Sequence, residues 1–567
     1  MSAAAVNPDA QSNHLDSTTD RWNGQDGLAQ LRREIDELTD GPSDEAPKKE
    51  AVAPPVAEST KAEAQAGQVK GTKGPSQGTV ISRLAQEVFD LGCTPGGLSF
   101  ATRQDRGSVA ISLRGGRKSL RAELARLYAQ RYGHVPGSSS VSDAMLQLEG
   151  VAQSATPVEL GVRVARHPGG GIVIDLGRDD GKSILVTARG WEVTDSPGVI
   201  WRRTALTGEM PMPARGGSIK DLWALTNVGA EDRPLVVAWL MAALMPDIPH
   251  PILTLTGVQG TAKSTTARLL VSLIDPSSVP LRAVPKDVHD WSVAVGGAWL
   301  AAIDNVSTIP SWWADALCRA STGDGLVTRK LYSDDGLLVL AFRRLIILTS
   351  IDAGAMRGDL ADRLITIELE RIDPSSRRED SEVSAAIDAM RPRLFGALLD
   401  LLVQVLARMP QVHLDELPRM ADFGRVLATV DAIAGTKGMA RYLGQADALF
   451  ADVVEGDEVA RTIRDFVRSQ VDGKWEGTAS ELLNRVNPEH ASKWWPDNGR
   501  ALSGRLRNAT VALASDGVEV ATYRSHGVRL IRLSTTDKLT AAEPSGIADE
   551  PRTRKALSIV GDSLLAA

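Results

Sequence analysis

A glycine-rich segment between an apolar run and an amphipathic stretch carries the strongest chemical signal in the sequence. Ile252–Thr256 predicts a buried strand, and after the glycine-rich segment apolar residues repeat with helical spacing through Ile274. A G-x-x-x-x-A-K-S pattern in this strand-to-helix context predicts a phosphate-binding loop (P-loop), because free N–H groups at a helix N-terminus bind anions. The residues expected to surround the phosphates are Gly257, Val258, Gln259, Gly260, Thr261, Ala262, Lys263, Ser264 and Thr265.

Three side chains of this segment have roles that phosphate chemistry defines. Lys263 would bring a mobile positive charge to the β- and γ-phosphates of ATP, and the Ser264 hydroxyl would be a ligand of Mg²⁺. Ala262 stands where a glycine is usual. Because this position opens the helix, we expect the backbone to tolerate the methyl group, although the methyl narrows the approach to phosphate. The sequence therefore predicts ATP and Mg²⁺ as cofactors.

A second apolar strand, residues 298–303, ends at Asp304 and Asn305. Carboxyl ends of parallel strands meet at one edge of a sheet, so the Asp304 carboxylate would reach the same Mg²⁺ as Ser264. Asn305 cannot accept a proton, although it can orient a water molecule. Either another carboxylate is the base or hydrolysis is slow. Alternatives for the base are Asp287, Asp290 and Asp324.

Polar side chains also end a third apolar strand, residues 344–348. Thr349 is the first choice for sensing the γ-phosphate, and Ser350 is the second. A short Asp-rich helix follows and presents Arg363 just before a fourth strand, residues 366–369. The order of strands and helices predicts an α/β nucleotide-binding core.

In this order, from residue 257 to 369, the motifs resemble the AAA+ cores of superfamily-3 helicases, and more closely the ATPases of phage and mobile-element primase-helicases. The glycine pattern alone is shared with many unrelated NTPases. The resemblance implies a ring, usually a hexamer, in which Arg363 of one subunit contacts the γ-phosphate bound by the next. An ion pair of Arg363 with Asp359 or Asp362 is the alternative. Asn305, where those families usually have Glu, and the Thr-Ser pair, where they have a sensor Asn, are departures that bear on the hydrolysis rate more than on nucleotide binding.

The resemblance further implies a basic hairpin that lines the pore of the ring. Residues 321–340 fit two strands around a turn at 333–336. Arg329 and Lys330 would follow the backbone of single-stranded or forked DNA there. The alternatives are a solvated hairpin and an Arg329 that faces the nucleotide of the next subunit.

Residues 456–534 predict helices followed by a hairpin. Thr478 and Glu481 form a capping-box pattern, and residues 518–523 and 528–533 would pair as a wing. The segment resembles the winged-helix domain that ends many phage primase-helicases. The predicted DNA contacts are Arg500, Arg505 and Arg507, with Arg524 and Arg529 on the same basic face. A protein-binding winged helix with solvated arginines is the alternative.

The remaining boundaries follow from composition and periodicity. The predicted fold class is α/β: a P-loop, AAA+-like ATPase core with an N-terminal α+β accessory region and a C-terminal winged helix. The predicted segments are a disordered tail (1–78), a small α+β accessory domain (79–155), a β-rich connector (156–217), the ATPase core (218–410), a helical region (411–455), the winged helix (456–534) and a second disordered tail (535–567).

Composition limits the function classes. The 567 residues carry 64 Lys and Arg against 71 Asp and Glu, a net charge of −7, which excludes a uniformly basic DNA-coating protein but not a local basic face. Two distant cysteines argue against disulfides or structural zinc. With no leader pattern and no long uncharged apolar run, the sequence predicts a cytoplasmic protein.

We therefore expect an ATP-hydrolysing, helicase-like replication ATPase of a phage or mobile element that acts on DNA as a homo-oligomeric ring. No primase site is visible in the sequence, so a primase partner is expected on another chain. The alternative is a nucleotide-switched DNA-binding or initiator scaffold that hydrolyses slowly and does not unwind. A small-molecule phosphotransferase is disfavoured, because it would have no use for a finger-like arginine and a winged helix.

Overall fold

The fold was analysed in a computed structural model. The predicted tails lie largely outside the described residues, as do Lys330 and the hairpin turn at 333–336; Arg329 lies on a described strand, but its side chain is outside the description. The structure describes residues 74–105, 107–114, 119–324, 326–329, 337–340, 343–350, 358–488, 492 and 495–536.

Three helices and a four-stranded sheet form the N-terminal region. Ser76 caps the first helix by accepting a hydrogen bond from the N–H of Thr79. Leu120 and Leu148 are fully buried in the small core of this region. The elements are α1 (Gln77–Val88), α2 (Leu120–Tyr132), α3 (Ser138–Gln153) and a sheet in the order β1 (Phe89–Cys93), β2 (Ser99–Arg103), β3 (Val109–Ser112) and β8 (Trp201–Arg202).

Two basic side chains of this region pair within it. Arg114 forms a two-bonded ion pair with Glu149, with both distances 2.6 Å, and Arg126 pairs with Glu123 at 2.6 Å. These hydrogen bonds lower the pKa of both glutamates. Both guanidinium groups are therefore already engaged with carboxylates of the same region.

A four-stranded antiparallel meander follows, and it packs directly on the central region. Ile174 and Ile184 are fully buried in one apolar cluster with Leu240 and Leu270. The apolar core is thus continuous across the boundary predicted at 217/218. The strands are β4 (Val164–Arg166), β5 (Ile172–Asp175), β6 (Ser183–Thr187) and β7 (Gly190–Thr194).

A buried ion pair joins this meander to the central region. Arg163, 0% exposed, donates from Nε to Asp275 Oδ1 at 2.7 Å and from Nη1 to the carbonyl of Asp175 at 2.9 Å. The second oxygen of Asp275 accepts the N–H groups of Trp299 and Leu300 at 2.8 and 3.1 Å. Because the charges are paired and the oxygens satisfied, the cost of burying them is offset.

The central region is a parallel four-stranded sheet with helices on both faces. Alternate residues face opposite sides: Leu253 and Ile347 pack with the helices of one layer, and Ile252 and Ile346 pack with Trp313 of the other. A parallel sheet covered on both faces needs such continuous apolar strands. The sheet order is β10 (Leu300–Val306), β13 (Leu345–Ser350), β9 (Ile252–Thr256) and β14 (Leu364–Glu368).

The helices that surround this sheet include one of unusual length. By length and composition alone, Asp380–Gln411 could cross a membrane, but nearly half of its most apolar stretch is buried here, and core helices pass the same test. This is weak evidence for a membrane span. The helices are α4 (Arg233–Ala243), α5 (Lys263–Ile274), α6 (Val288–Gly296), α7 (Ser311–Thr322), α8 (Gly358–Ala361) and α9 (Asp380–Arg408); strands β11 (Leu326–Arg329) and β12 (Leu337–Leu340) pair antiparallel, as the hairpin prediction required.

The C-terminal region contains helices and a three-stranded antiparallel sheet. The capping box of Thr478 and Glu481 is confirmed, and so is the wing-like hairpin, which turns at His526 and Gly527 with φ of 48° and 82°. The strand at 474–477 was not predicted. The elements are α10 (Ala421–Ala434), α11 (Gly438–Gly456), α12 (Glu458–Arg468), β15 (Lys474–Gly477), α13 (Ala479–Val486), α14 (Gly499–Ser515), β16 (Val518–Ser525) and β17 (Val528–Thr535).

Candidate functional site

The ends of β9, β10 and β13 bring three predicted site residues together. Ser264 Oγ lies 2.8 Å from Asp304 Oδ1, and the Thr349 hydroxyl lies 2.6 Å from the same oxygen. The strands are parallel, so their carboxyl ends meet at one edge of the sheet. A hydroxyl and a carboxylate oxygen at hydrogen-bond distance form a donor set that suits a hard divalent cation.

The glycine loop (residues 257–262) wraps tightly between β9 and α5. Gly257 and Gly260 have φ of 137° and 85°, values that favour glycine. Lys263 Nζ donates to the carbonyls of Gly257 and Val258 at 2.6 and 3.0 Å. The ammonium group therefore lies inside the loop, where a bound anion would replace the carbonyls as its partner.

Ala262 corrects one expectation. It has φ 57° and ψ 32°, a left-handed conformation, and the helix begins at Lys263. A Cβ atom in this conformation costs roughly 1–2 kcal/mol. The backbone therefore holds the methyl group that we expected it to tolerate, but at a conformational cost. Ala262 stands at the end of the loop rather than in the first helical turn.

Asn227 holds the glycine loop from outside, and sequence reasoning missed it. Its Nδ2 donates to the carbonyl of Thr261 at 2.9 Å and also to the carbonyl of Glu370. The Thr261 side chain donates to the carbonyl of Val258 at 3.0 Å. One amide thus ties the loop to the chain that leaves β14. No local pattern marks an asparagine so far upstream of the loop.

Asn305 occupies an irregular position in β10. Its φ of 57° is left-handed, and the strand register shifts between Ile303 and Val306. Asparagine is among the few residues that adopt this conformation readily. Its side chain is exposed, and its N–H donates to Thr349 Oγ1 at 2.9 Å. The backbone at this position therefore favours asparagine over glutamate.

Thr349 is buried, 1% exposed, and its hydroxyl is used twice. It donates to Asp304 Oδ1 and accepts from the N–H of Asn305. Ser350 donates to the carbonyl of Val306 at 2.8 Å. In this arrangement the Thr349 hydroxyl is engaged with the Asp304 carboxylate, and its sensing of a γ-phosphate stays a prediction.

Arg363 lies at the opposite edge of the sheet from the glycine loop. Its carbonyl accepts the N–H of Ile252 at 2.8 Å, at the first residue of β9, whereas the loop follows the last residue of that strand. At a rise of roughly 3.3 Å per residue the two ends are about 15 Å apart. The carboxylate of Asp362, one of the two acids suggested as a partner of Arg363, accepts from Arg419 Nη1 at 3.2 Å.

Of the three acids named as alternative bases, Asp287 and Asp324 have other contacts through their carboxylates. Asp287 caps α6 by accepting the N–H of Asp290 at 2.9 Å, and Asp324 accepts from the Thr322 hydroxyl at 2.9 Å. All three are exposed. Over the described residues, no hydrogen bond joins any of them to Asp304, and no group of three or more His, Cys, Asp or Glu side chains could hold a metal ion.

The arginines of α14 differ in their surroundings. Arg500 and Arg507 are about two helical turns apart, and both are exposed. They lie on the face opposite the buried Leu502 and Leu506. Arg505 lies 3.4 Å from Asp457 and forms an ion pair with it. The structure therefore groups Arg500 with Arg507 and places Arg505 apart from them.

The tip of the β16–β17 hairpin brings two more arginines together. Arg524 and Arg529 are directly opposite in the antiparallel register, beside the His526 turn. Like charges in this relation are unfavourable unless an anion lies between or near them. This tip is therefore a second place where an anionic chain would be stabilised.

Comparison with known proteins shows which protein families this chain matches. Residues 219–452 match the family described as actinomycete integrative conjugative element replication protein, AICE_RepA, and residues 459–549 match its C-terminal domain family. Among curated proteins, no sequence matches this chain.

Solved structures match this chain at low similarity. One described as "SCCmec type IV Cch - active helicase" is 13% identical with a TM-score of 0.40, over 79% of this chain and 93% of that chain. The apo structure of the NrS-1 C terminal region is 12% identical with a TM-score of 0.36, over 82% of this chain and 100% of that chain. These scores are too low for an argument about function.

The two family matches together span more than half of the chain, and they identify it as a mobile-element replication protein.

Proposed function

We propose that this replication protein is an ATP-binding and ATP-hydrolysing enzyme with a P-loop core of the AAA+ type. The observation that carries the proposal is the meeting of Ser264, Asp304 and Thr349 beside a loop whose lysine, Lys263, points into it. A lysine, a hydroxyl and a strand-end carboxylate are the groups that phosphoryl transfer requires.

The metal would be Mg²⁺, held by Ser264 and Asp304. Two oxygen ligands are few, but Mg²⁺ keeps several waters and takes further ligands from substrate phosphates. The ion would neutralise charge on the transferred phosphoryl group. The chain supplies the positions: Ser264 lies in the first turn of α5, and Thr349 would hold the Asp304 carboxylate in one orientation.

Ring assembly is supported by the position of Arg363. Because it lies about 15 Å from the glycine loop of its own chain, at the other end of β9, it would serve a nucleotide held by a neighbouring subunit. An arginine contributed in this way stabilises the transition-state charge. We propose a homo-oligomeric, cytoplasmic ring with any primase on another chain.

DNA contact is proposed for the winged helix and for the hairpin of β11 and β12. Arg500 and Arg507 on α14, with Arg524 and Arg529 at the wing, would bind duplex phosphates, and Arg329 and Lys330 would contact single strands. Arg505 has a carboxylate partner, so we expect it to contribute less. Separate effects of Arg507→Ala and Arg505→Ala on duplex affinity would test this ranking.

The decisive experiment is ATP hydrolysis by the full chain with no DNA, single-stranded DNA and forked DNA, beside mass measurement of the oligomer. We expect stimulation by DNA, assembly with nucleotide, and loss of both ATP binding and hydrolysis in Lys263→Ala. Wild-type protein without ATP binding, or a Lys263→Ala variant with full activity, would overturn the proposal.

A second function is favoured by one observation, the left-handed Asn305 next to Asp304. Its amide cannot act as the base, so a nucleotide-switched DNA-binding or initiator scaffold with slow hydrolysis is the alternative. Such a protein would bind DNA differently with ATP and ADP, yet it would leave a forked substrate unseparated under conditions in which ATP is bound.

A further inference from the structure

A guanidinium group of the same chain lies against the rim of the glycine loop. A Cβ atom built on Gly260 would lie 3.2 Å from Arg377 Nη2 and 4.0 Å from its Cζ. Gly260 is exposed and has a positive φ of 85°. The open side of the loop and Arg377 are therefore neighbours, although they are far apart in the sequence.

The segment that carries Arg377 is attached to the loop at its start. The N–H of Leu369 donates to the carbonyl of Thr256 at 2.9 Å, directly before the loop begins. Asn227 then joins Glu370 to Thr261. These bonds hold the chain that leaves β14 against the glycine loop.

Two further hydrogen bonds order the chain on either side of Arg377, one within the segment and one to a distant residue. The carboxylate of Asp373 accepts the N–H of Ser375 at 2.8 Å and starts the short 3-10 helix Pro374–Ser376. On the other side, Arg378 Nη2 donates to the carbonyl of Ala224 at 3.2 Å. The residue after Arg377 is thus attached to a distant part of the fold, and a local turn orders the chain before it.

The charge of Arg377 is accessible. Its side chain is exposed. The pKa of the nearby Asp373 is lowered chiefly by the hydrogen bonds from Ser375 and to a smaller degree by the charge of Arg377. A guanidinium presents planar N–H donors that match phosphate oxygens, and the loop itself favours anions.

We propose that Arg377 binds the polyphosphate of a nucleotide held by the glycine loop of its own chain, as a second cation beside Lys263. This inference rests on the proposed function. It assigns the two arginines different partners: Arg377 acts on the nucleotide of its own subunit, whereas Arg363 is placed for that of a neighbour.

The test is equilibrium competition on the full chain. Inorganic tripolyphosphate and ATP each displace a fluorescent N-methylanthraniloyl derivative of ATP, in Arg377→Gln, Arg377→Lys and wild-type protein. We expect Arg377→Gln to weaken both competitors about tenfold, and Arg377→Lys to weaken them less. Arg371→Gln is the matched control, an exposed arginine of the same segment, and its affinities should stay within about twofold of the wild type.

Each other outcome overturns a named statement. Unchanged tripolyphosphate affinity in Arg377→Gln would overturn the inference, whether or not ATP affinity falls, because any contact would then be to ribose or base. When the inference fails in this way, the proposed function still stands if the wild type binds ATP and Lys263→Ala does not. If wild-type protein binds no nucleotide, the proposed function itself fails. Thermal unfolding without nucleotide checks that each variant is folded, and Arg377→Lys keeps the test open if the glutamine variant is not.

Discussion

The hydroxyl of Thr349 lies 2.6 Å from Asp304 Oδ1, the oxygen that Ser264 also contacts. One threonine therefore fixes the orientation of the carboxylate proposed to hold Mg²⁺. Its acceptor side is occupied by the N–H of Asn305, so the contact also ties the bulge of β10 to β13. Thr349, which is not itself an expected metal ligand, thus controls the orientation of Asp304, which is one.

Replacing Thr349 with valine keeps the shape of the side chain but removes both hydrogen bonds. We expect kcat for ATP hydrolysis to fall about tenfold with ATP affinity nearly unchanged, since residues that orient a metal ligand have effects of this size. Thr349→Ser should recover most of the rate. Steady-state kinetics and equilibrium ATP binding are the measurements, and an unchanged kcat in Thr349→Val would contradict the orienting role.

Replacing Ala262 with glycine should stabilise the protein. The methyl group is held at φ 57°, and removing it relieves a strain that exceeds the added entropy of the unfolded glycine, for a net gain of about 1 kcal/mol. Urea denaturation measures the change. Ala267→Gly, in the interior of α5, should do the opposite and lower stability by about 1 kcal/mol or more. A loss of stability in Ala262→Gly would be inconsistent with the strain.

Removing the charge of Asp275 should destabilise the fold strongly. Asp275→Asn leaves the fully buried Arg163 without its counter-charge, so we expect a loss of about 3–5 kcal/mol of unfolding free energy. The double change Arg163→Met with Asp275→Leu should cost less than the sum of the single changes. Asp247→Asn is the control, because its ion pair with Arg166 is exposed and should contribute less than about 1 kcal/mol.

His250 should make stability depend on pH. Burial, with a smaller effect from the charge of Arg343, lowers the pKa of His250 from 6.5 to about 3. The folded state stays uncharged while the unfolded state binds a proton below pH 6.5, so this contribution is complete above pH 6.5 and is lost progressively as the pH falls toward 3.

The variant His250→Leu isolates this contribution. Between pH 7 and pH 5 the wild type should lose about 2 kcal/mol relative to the variant, as urea denaturation at the two pH values would measure. A difference between wild type and variant that stays constant over this range would show that His250 does not titrate as the buried environment requires.

Local sequence patterns predicted the parts of the site that adjoin a strand or begin a helix. Asp304 and Thr349 lie near the ends of apolar strands, Lys263 and Ser264 begin the helix after the glycine loop, and the parallel sheet brings those ends together. The mixed α/β architecture is confirmed in the same way, because continuous apolar runs and helical periodicity are both encoded in consecutive residues. Roles in catalysis remain predictions.

Contacts between distant segments could not be predicted. Asn227, Arg377 and the Arg163–Asp275 pair depend on which loops the tertiary fold brings together, and no spacing in one sequence records that. The strain at Ala262 was missed for another reason: composition indicates that a methyl group is present, but only the backbone dihedrals show that it lies one residue outside the helix.

Asp275 also bears on the geometry of the proposed metal site from a distance. Helix α5 has Ser264 at its start and Asp275 after its end, and Asp275 holds the first residue of β10, the strand that carries Asp304. Helix α5 and strand β10 are therefore joined at both ends. Ser264 contacts Asp304 at one end, and Asp275 contacts Leu300 at the other. Breaking the contact at one end would change the separation of helix and strand at the other. The spacing of the proposed magnesium ligands is therefore set partly by a carboxylate one helix length away.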